Sequence, residues 1–362
     1  MTCKTLNNKE VFFLKTQVFT IHDPQAAQEQ LLDAGRILRA GGLVVFPTET
    51  VYGLGGDGTN PQAAADIYAA KGRPSDNPLI IHVASPEDAD KYAYTTELYF
   101  ALAKAFMPGP LTVIMPKRDI VPSSVTGGLD SVAVRCPSHP VARALICAAG
   151  TCVAAPSANL SGKPSPTDAR HVIEDLDGKV DVIIDGGECE IGLESTIVKI
   201  MQDAQGEPYL VLLRPGAITH DALCCVCPRV DIAPAVAEKL AENERPLSPG
   251  MKYRHYAPTA PLVLLDGDDD QVLAFLRAEQ KAKCCCVLCY DEETSALSGG
   301  TLIPVGARDD LAAQAKRLFA ALREADATGA EIIYAHLPPM QGLGLALYNR
   351  MIRAAAHTVL KI

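Results

Sequence analysis

Gly41-Gly-Leu-Val-Val-Phe46-Pro-Thr-Glu-Thr50 is the stretch on which the fold turns. Two glycines stop the preceding helix, an apolar run of strand character follows, and the run empties into a turn of proline, hydroxyl and carboxylate side chains. Upstream, residues 24–40 read as a helix, with Asp23 as N-cap and Pro24 in its first turn. A helix, a buried strand and a polar strand end in succession describe an α/β sheet, in which ligands bind at strand ends.

The same alternation continues along the chain. Asn60-Pro61 opens a helix that closes at Lys71-Gly72, and residues 79–83 form a strand with one polar member, His82. Residues 87–106 read as one helix, broken by Pro108-Gly-Pro110, and residues 139–149 as another. Residues 111–115, 131–135, 153–155, 180–184, 195–200 and 209–213 read as strands. Gly53-Leu-Gly-Gly-Asp-Gly58 is glycine-rich but does not open a helix with the spacing of a phosphate-binding loop. Together these elements form a strand-rich α/β domain over residues 20–225.

Residues 240–260 differ, holding three prolines within Glu242 to Pro258, and read as an extended linker. Within it Lys252, Tyr253, Arg254, His255 and Tyr256 stand in a row with no acid among them. Residues 261–362 alternate again: strands at 261–265, 284–288 and 331–336, helices at 271–281, 308–326 and 343–357. That pattern predicts a small, mostly parallel, doubly wound domain.

Length and composition agree. A chain of 362 residues suits two cores, and 48% hydrophobic with 21% charged residues is globular composition. The net charge of −10 disfavours a general coat of nucleic acid, so no stable nucleic-acid binding is expected. With no long apolar run and no signal-peptide pattern in the sequence, no membrane span is expected and a cytosolic location is. Of the 12 cysteines, Cys224/Cys227 and Cys286/Cys289 have a metal-site spacing. A zinc site needs all four to converge, yet two lie along one strand whose side chains alternate faces, so reduced core thiols are expected.

Candidate functional residues cluster at element ends. Lys71 and Arg73 flank a helix end before the stiff turn Pro74-Ser-Asp-Asn-Pro78, where they serve either the helix dipole or a phosphate. His82 reads as a satisfied core histidine or a polar group on a cleft face. Arg135 reads as a carboxylate clamp or an edge-strand cation. Ser157, Asn159, Ser195 and Arg214 stand at strand ends as turn residues or as ligands.

Phe46-Pro-Thr-Glu-Thr-Val-Tyr-Gly-Leu54, Lys71-Gly-Arg73, Asp76-Asn-Pro-Leu79, Pro108-Gly-Pro-Leu-Thr112, Ala155-Pro-Ser-Ala-Asn159, Glu194-Ser-Thr196 and Leu213-Arg-Pro-Gly216 together resemble the YrdC-like threonylcarbamoyl-AMP synthases. Ser248-Pro-Gly-Met-Lys-Tyr-Arg-His-Tyr-Ala-Pro258 is similar to the linker of their two-domain members. The resemblance implies a fold: a YrdC-like twisted mixed-sheet domain joined by the extended linker to a smaller Rossmann-like domain. It also implies a reaction, in which L-threonine, bicarbonate and ATP give threonylcarbamoyl-AMP and pyrophosphate for the t6A modification of tRNA position 37, with other t6A-pathway proteins as possible partners. By resemblance, Lys71 and Arg73 are catalytic, and Thr48, His82, Arg135 and Ser195 hold threonine. Lys71, Arg73, Ser75, Thr126, Ser157, Asn159, Arg214 and Tyr256 hold ATP, with Mg2+ carried on its phosphates rather than on protein ligands. The linker is then expected to fold over the cleft as a lid. The competing readings are an RNA-binding or regulatory module, disfavoured by the charge and the lack of Trp, and carbamoyl transfer from another donor.

Overall fold

Eleven strands between residues 17 and 232 form one mixed sheet in the computed structural model, which describes residues 15–238 and 256–362. From edge to edge they run Gln17–Thr20, Val182–Asp185, Val44–Phe46, Gly53–Asp57, Val153–Ala155, Ile80–His82, Ser131–Arg135, Leu111–Pro116, Thr196–Gln202, Pro208–Arg214 and Val230–Ile232. A second sheet of five strands is parallel throughout, in the order Thr301–Pro304, Cys285–Cys289, Ile332–His336, Leu262–Asp266 and Val359–Lys361. The α/β class, with a mixed sheet followed by a smaller parallel one, is the one the sequence predicts.

The helix Pro61–Lys71 forms as expected: Asn60 accepts the Gln62 N–H, and Gly72 ends it at φ 63°. Other expectations need correction. Asp23 accepts the Gln25 N–H and so caps a turn, and the helix itself runs Gln28–Arg39. The single helix expected over 87–106 is split into a 3-10 turn, Pro86–Lys91, and a helix, Glu97–Phe106, that Thr96 caps by accepting the Tyr99 N–H. The glycine run is a strand, Gly53–Asp57, paired antiparallel to the strands on both sides. A Cβ at Gly55 would stand 2.7 Å from Val153 Cγ1 and 2.9 Å from the Phe46 ring, so the glycines let this strand lie beneath that ring. Strands Gln17–Thr20, Thr301–Pro304 and Val359–Lys361 and the helix Ala169–Leu176 were not expected.

The two units pack together. Val51 and Leu193 of the first share an apolar cluster with Tyr256, Phe319 and Leu347, and the Tyr256 and Phe319 rings lie 5.1 Å apart. Arg323 ties the second unit to Asp175 of the first at 2.7 Å. The expected lid falls largely on residues 239–255, including Lys252, Tyr253, Arg254 and His255, which lie outside the described residues. Cys136, Cys152, Cys286 and Cys289 are buried free thiols, whereas Cys284 is exposed. The two cysteine pairs do not converge, and among the described residues no group of side chains is arranged to hold a metal ion. No helix among the described residues is long and apolar enough to cross a membrane.

Candidate active site

A cleft opens where the central strands end. Lys71 reaches it from the last turn of Pro61–Lys71. Its Nζ is buried and donates to the Ser157 carbonyl at 2.6 Å and to the Asn159 carbonyl. Burial first, then the Arg73 charge, hold its pKa well below the ordinary lysine value. The Arg73 guanidinium is braced on the Asn77 and Pro78 carbonyls, at 3.4 and 3.1 Å. Opposite in sequence, the strand Val153–Ala155 delivers the turn that bears Ser157 and Asn159. Ser157 Oγ donates to Asn159 Oδ1 at 2.5 Å, and Asn159 Nδ2 donates to the Leu160 and Lys163 carbonyls, so the turn is stiff.

The second half of the cleft is a polar row across the sheet. His82 and Arg135 are register partners, and Thr112 faces Arg135 from the next strand, so all three project from one face. Thr112 Oγ1 and Ser195 Oγ are 2.7 Å apart, and Arg214 donates to the Ser195 carbonyl at 3.0 Å and to its hydroxyl at 3.1 Å. Arg135 is not an edge-strand cation, because Ser131–Arg135 lies between two other strands. Its Nη2 stands 2.8 Å from Glu49 Oε1, both side chains buried. Burial raises the Glu49 pKa, but the Arg135 charge and contact hold it below the usual carboxylate value. That proximity is not an aligned hydrogen bond: Arg135 Nε and Nη2 and both Glu49 oxygens have no hydrogen-bond partner among the described residues. Buried donors without an acceptor mark a place for one.

His82 is neutral at physiological pH, since burial and then Arg135 push its pKa down to about 3. Its Nδ1 lies 3.3 Å from the Val153 carbonyl, which can only accept, so the proton sits on Nδ1 and Nε2 is an acceptor. Thr48 accepts the Thr50 and Val51 N–H groups while donating to the Val51 carbonyl at 2.6 Å. Gly216 permits the crowding at Glu194-Ser195-Thr196: a Cβ there would come within 2.6 Å of the Thr196 nitrogen. Tyr256, at φ 61°, enters from the linker end with its ring buried, and burial raises its pKa to about 12.

Ten of the expected site residues line this one cleft: Thr48, Lys71, Arg73, His82, Arg135, Ser157, Asn159, Ser195, Arg214 and Tyr256. Ser75 and Thr126 stand outside its wall. Ser75 is exposed, and the Thr126 hydroxyl is committed to the Leu129 carbonyl at 2.8 Å. Three partners were missed. Thr112, Glu49 and Glu194 all lie within quoted motifs, but only folding shows that they touch Ser195, Arg135 and, from far along the chain, Arg350.

Comparison with known proteins gives consistent results. Residues 36–216 match the Sua5–YciO–YrdC family model, described as "Telomere recombination", and residues 218–356 match one described as "Threonylcarbamoyl-AMP synthase, C-terminal domain". A Bacillus subtilis protein named threonylcarbamoyl-AMP synthase is 42% identical over 359 residues, covering 98% of this chain and 100% of that one. A Pyrococcus abyssi protein of the same name is 43% identical over 338 residues, covering 91% and 95%. The crystal structure of P. abyssi Sua5 complexed with L-threonine matches with a TM-score of 0.84 at 40% identity, over 96% of this chain and 99% of that one.

Proposed function

The chain belongs to the Sua5–YciO–YrdC family of threonylcarbamoyl-AMP synthases, and from that premise we propose how its cleft forms the adenylate. L-threonine and bicarbonate, as N-carboxythreonine and water, present a carbamate oxygen to the α-phosphorus of ATP. The new O–P bond forms as the bond to the β-phosphate bridging oxygen breaks, and pyrophosphate leaves. The product is the threonylcarbamoyl donor for t6A in tRNA.

The observation that carries the assignment is Arg135, a buried guanidinium that shares a cavity with Lys71 and Arg73; it is ion-paired with Glu49 yet has no aligned hydrogen bond at Nε or Nη2 among the described residues. A substrate carboxylate would add aligned acceptors beside the Glu49 ion pair, so threonine's carboxylate belongs there. The His82 Nε2 accepts from threonine's hydroxyl or amine, and Thr48 and Ser195 supply further hydroxyls. Lys71, Arg73, Ser157, Asn159, Arg214 and Tyr256 serve ATP. Lys71 and Arg73 place positive charge where the phosphorus gains negative charge, and the rest is positioning. Magnesium supplies charge neutralisation of the phosphates. Among the described residues the one carboxylate lining the cleft, Glu194, is spent on Arg350 and Ser165, which fits a metal carried by ATP rather than by the protein.

We assign residues 20–225 to the catalytic domain, 240–260 to the linker and 261–362 to the C-terminal domain, working in the cytosol. The test is product analysis with labelled bicarbonate. Label should appear in an adenylate only when ATP and L-threonine are both present. A labelled adenylate formed without threonine, or none at all, contradicts the assignment.

A further inference from the structure

Arg350 is the largest fully buried side chain in the described structure, with 0% exposure, and the cleft chemistry above does not use it. It comes from the helix Gly344–Ala354 of the second unit. Its Nε donates to Glu194 Oε2 at 2.9 Å, its Nη1 to the Pro215 carbonyl at 2.7 Å and to Asn349 Oδ1 at 3.0 Å, and its Nη2 to the Glu194 carbonyl at 3.3 Å. Burying a guanidinium is costly unless its donors are satisfied, and here every guanidinium nitrogen is used.

The two segments that it grips each carry a cavity-facing residue. Glu194 precedes Ser195, and Pro215 follows Arg214. Glu194 has its other oxygen on the Ser165 hydroxyl at 2.6 Å. Burial would raise the Glu194 pKa, but Arg350 and then Arg214 bring it down to about 2, so the carboxylate is ionised. One buried anion therefore stands between two cations. Arg350 makes the direct contact, while Arg214 directs its hydrogen bonds to Ser195. The same helix holds the chain just before the linker: Asn349 donates to the Val236 carbonyl and Arg353 to the Ala235 carbonyl, each at 2.6 Å.

We propose that Arg350 is a positioning residue for adenylate formation, a side chain of the C-terminal unit that neutralises Glu194 and so keeps Ser195 and Arg214 facing the cavity. Without it, Glu194 keeps the nearby charge of Arg214 and pulls that guanidinium off Ser195 and away from substrate. The role rests on the assignment of the cleft given above.

The test uses the full-length chain and the variants Arg350→Met, Arg350→Lys and Glu194→Gln/Arg350→Met. Melting curves fix the folded fraction, and KM for threonine and ATP is measured separately from kcat. Arg350→Met should raise KM for both substrates at least ten-fold per folded molecule. The double variant, which removes the stranded anion, should recover most of that loss. A purely structural Arg350 would lower the melting temperature and leave both KM values at wild type, and that result overturns the proposal. If Arg350→Met does not fold, Arg350→Lys decides: it keeps the charge but loses the fork. A KM raised three-fold or more supports the role, and wild-type values refute it. Wild-type protein without threonine-dependent pyrophosphate release would contradict the cleft assignment and the proposal with it. Normal wild-type release with unchanged variant constants contradicts the proposal alone.

Discussion

Replacing Lys71 by methionine isolates the contribution of one buried amine in the cleft. Methionine keeps a linear stem of similar length and deletes the amine. Two carbonyl oxygens, of Ser157 and Asn159, then lose their donor, at about 1–3 kcal/mol each. The variant no longer desolvates an amine, which offsets part of that cost, so the net destabilisation should be ~1–3 kcal/mol and the protein should still fold. The effect on chemistry should be larger. Losing one preorganised donor to a charge-developing centre costs about 100- to 1,000-fold in kcat, or ~2.7–4 kcal/mol. Pyrophosphate release at saturating threonine measures it, and Lys71→Arg should not restore it, because a planar fork cannot replace a point donor held between two carbonyls. The buried amine gives a second, independent readout. Its pKa is held well below the ordinary value, first by burial. Arriving phosphates favour the cation, so ATP binding should take up protons. Calorimetry in buffers of different ionisation enthalpy should show that uptake in wild type and its loss in Lys71→Met. A folded Lys71→Met enzyme within three-fold of wild type, with unchanged proton uptake, would refute the reasoning.

Three further outcomes are expected. Arg135→Met should raise KM for threonine about 10- to 150-fold, the equivalent of one charge-assisted contact of ~1.5–3 kcal/mol, with a smaller change for ATP; equal losses for both substrates would move threonine's carboxylate elsewhere. Acid should destabilise the fold in two stages that denaturant titrations can separate. The His82 pKa is lowered to about 3 in the folded protein, so the unfolded chain binds its proton first. Stability therefore falls as pH drops below about 6.5, by up to ~1.4 kcal/mol per pH unit for this group. Glu194, lowered to about 2, adds its loss only below about 4.5. His82→Gln should shrink the first stage, to which His139 and His171, lowered by burial, also contribute, and leave the second. Among the described cysteines, Cys147, Cys225 and Cys284 should alkylate in the native protein. Cys152 and Cys286 should not, because both are buried and burial pushes their thiols up to about 12.

The sequence was most legible where local chemistry decides the backbone. Asn60, Pro61 and Gly72 delimit their helix by capping alone, and ten candidate ligands converge on one cleft, seven of them from the ends of strands in the one sheet. It was least legible where a long-range partner decides. The strand Gly53–Asp57 has no apolar alternation to announce it and exists because the Phe46 ring needs a surface without side chains. The split of residues 86–106 follows from Thr96 capping a second helix inside an apolar pattern that suits one. Glu194 and Arg350 are 156 residues apart, and no spacing rule relates them. Ser75 shares the Lys71-Arg73 turn in sequence, yet it is exposed and stands outside the cleft wall, because a turn fixes where the backbone goes and not which side chains face inward.

The central claim is that one cleft joins threonine's carbamate to the α-phosphate of ATP. Its most direct test is the initial rate of pyrophosphate release from ATP, at saturating bicarbonate, as L-threonine is titrated. The rate should be near zero without threonine and should rise and saturate with it. A rate indifferent to threonine would contradict the claim.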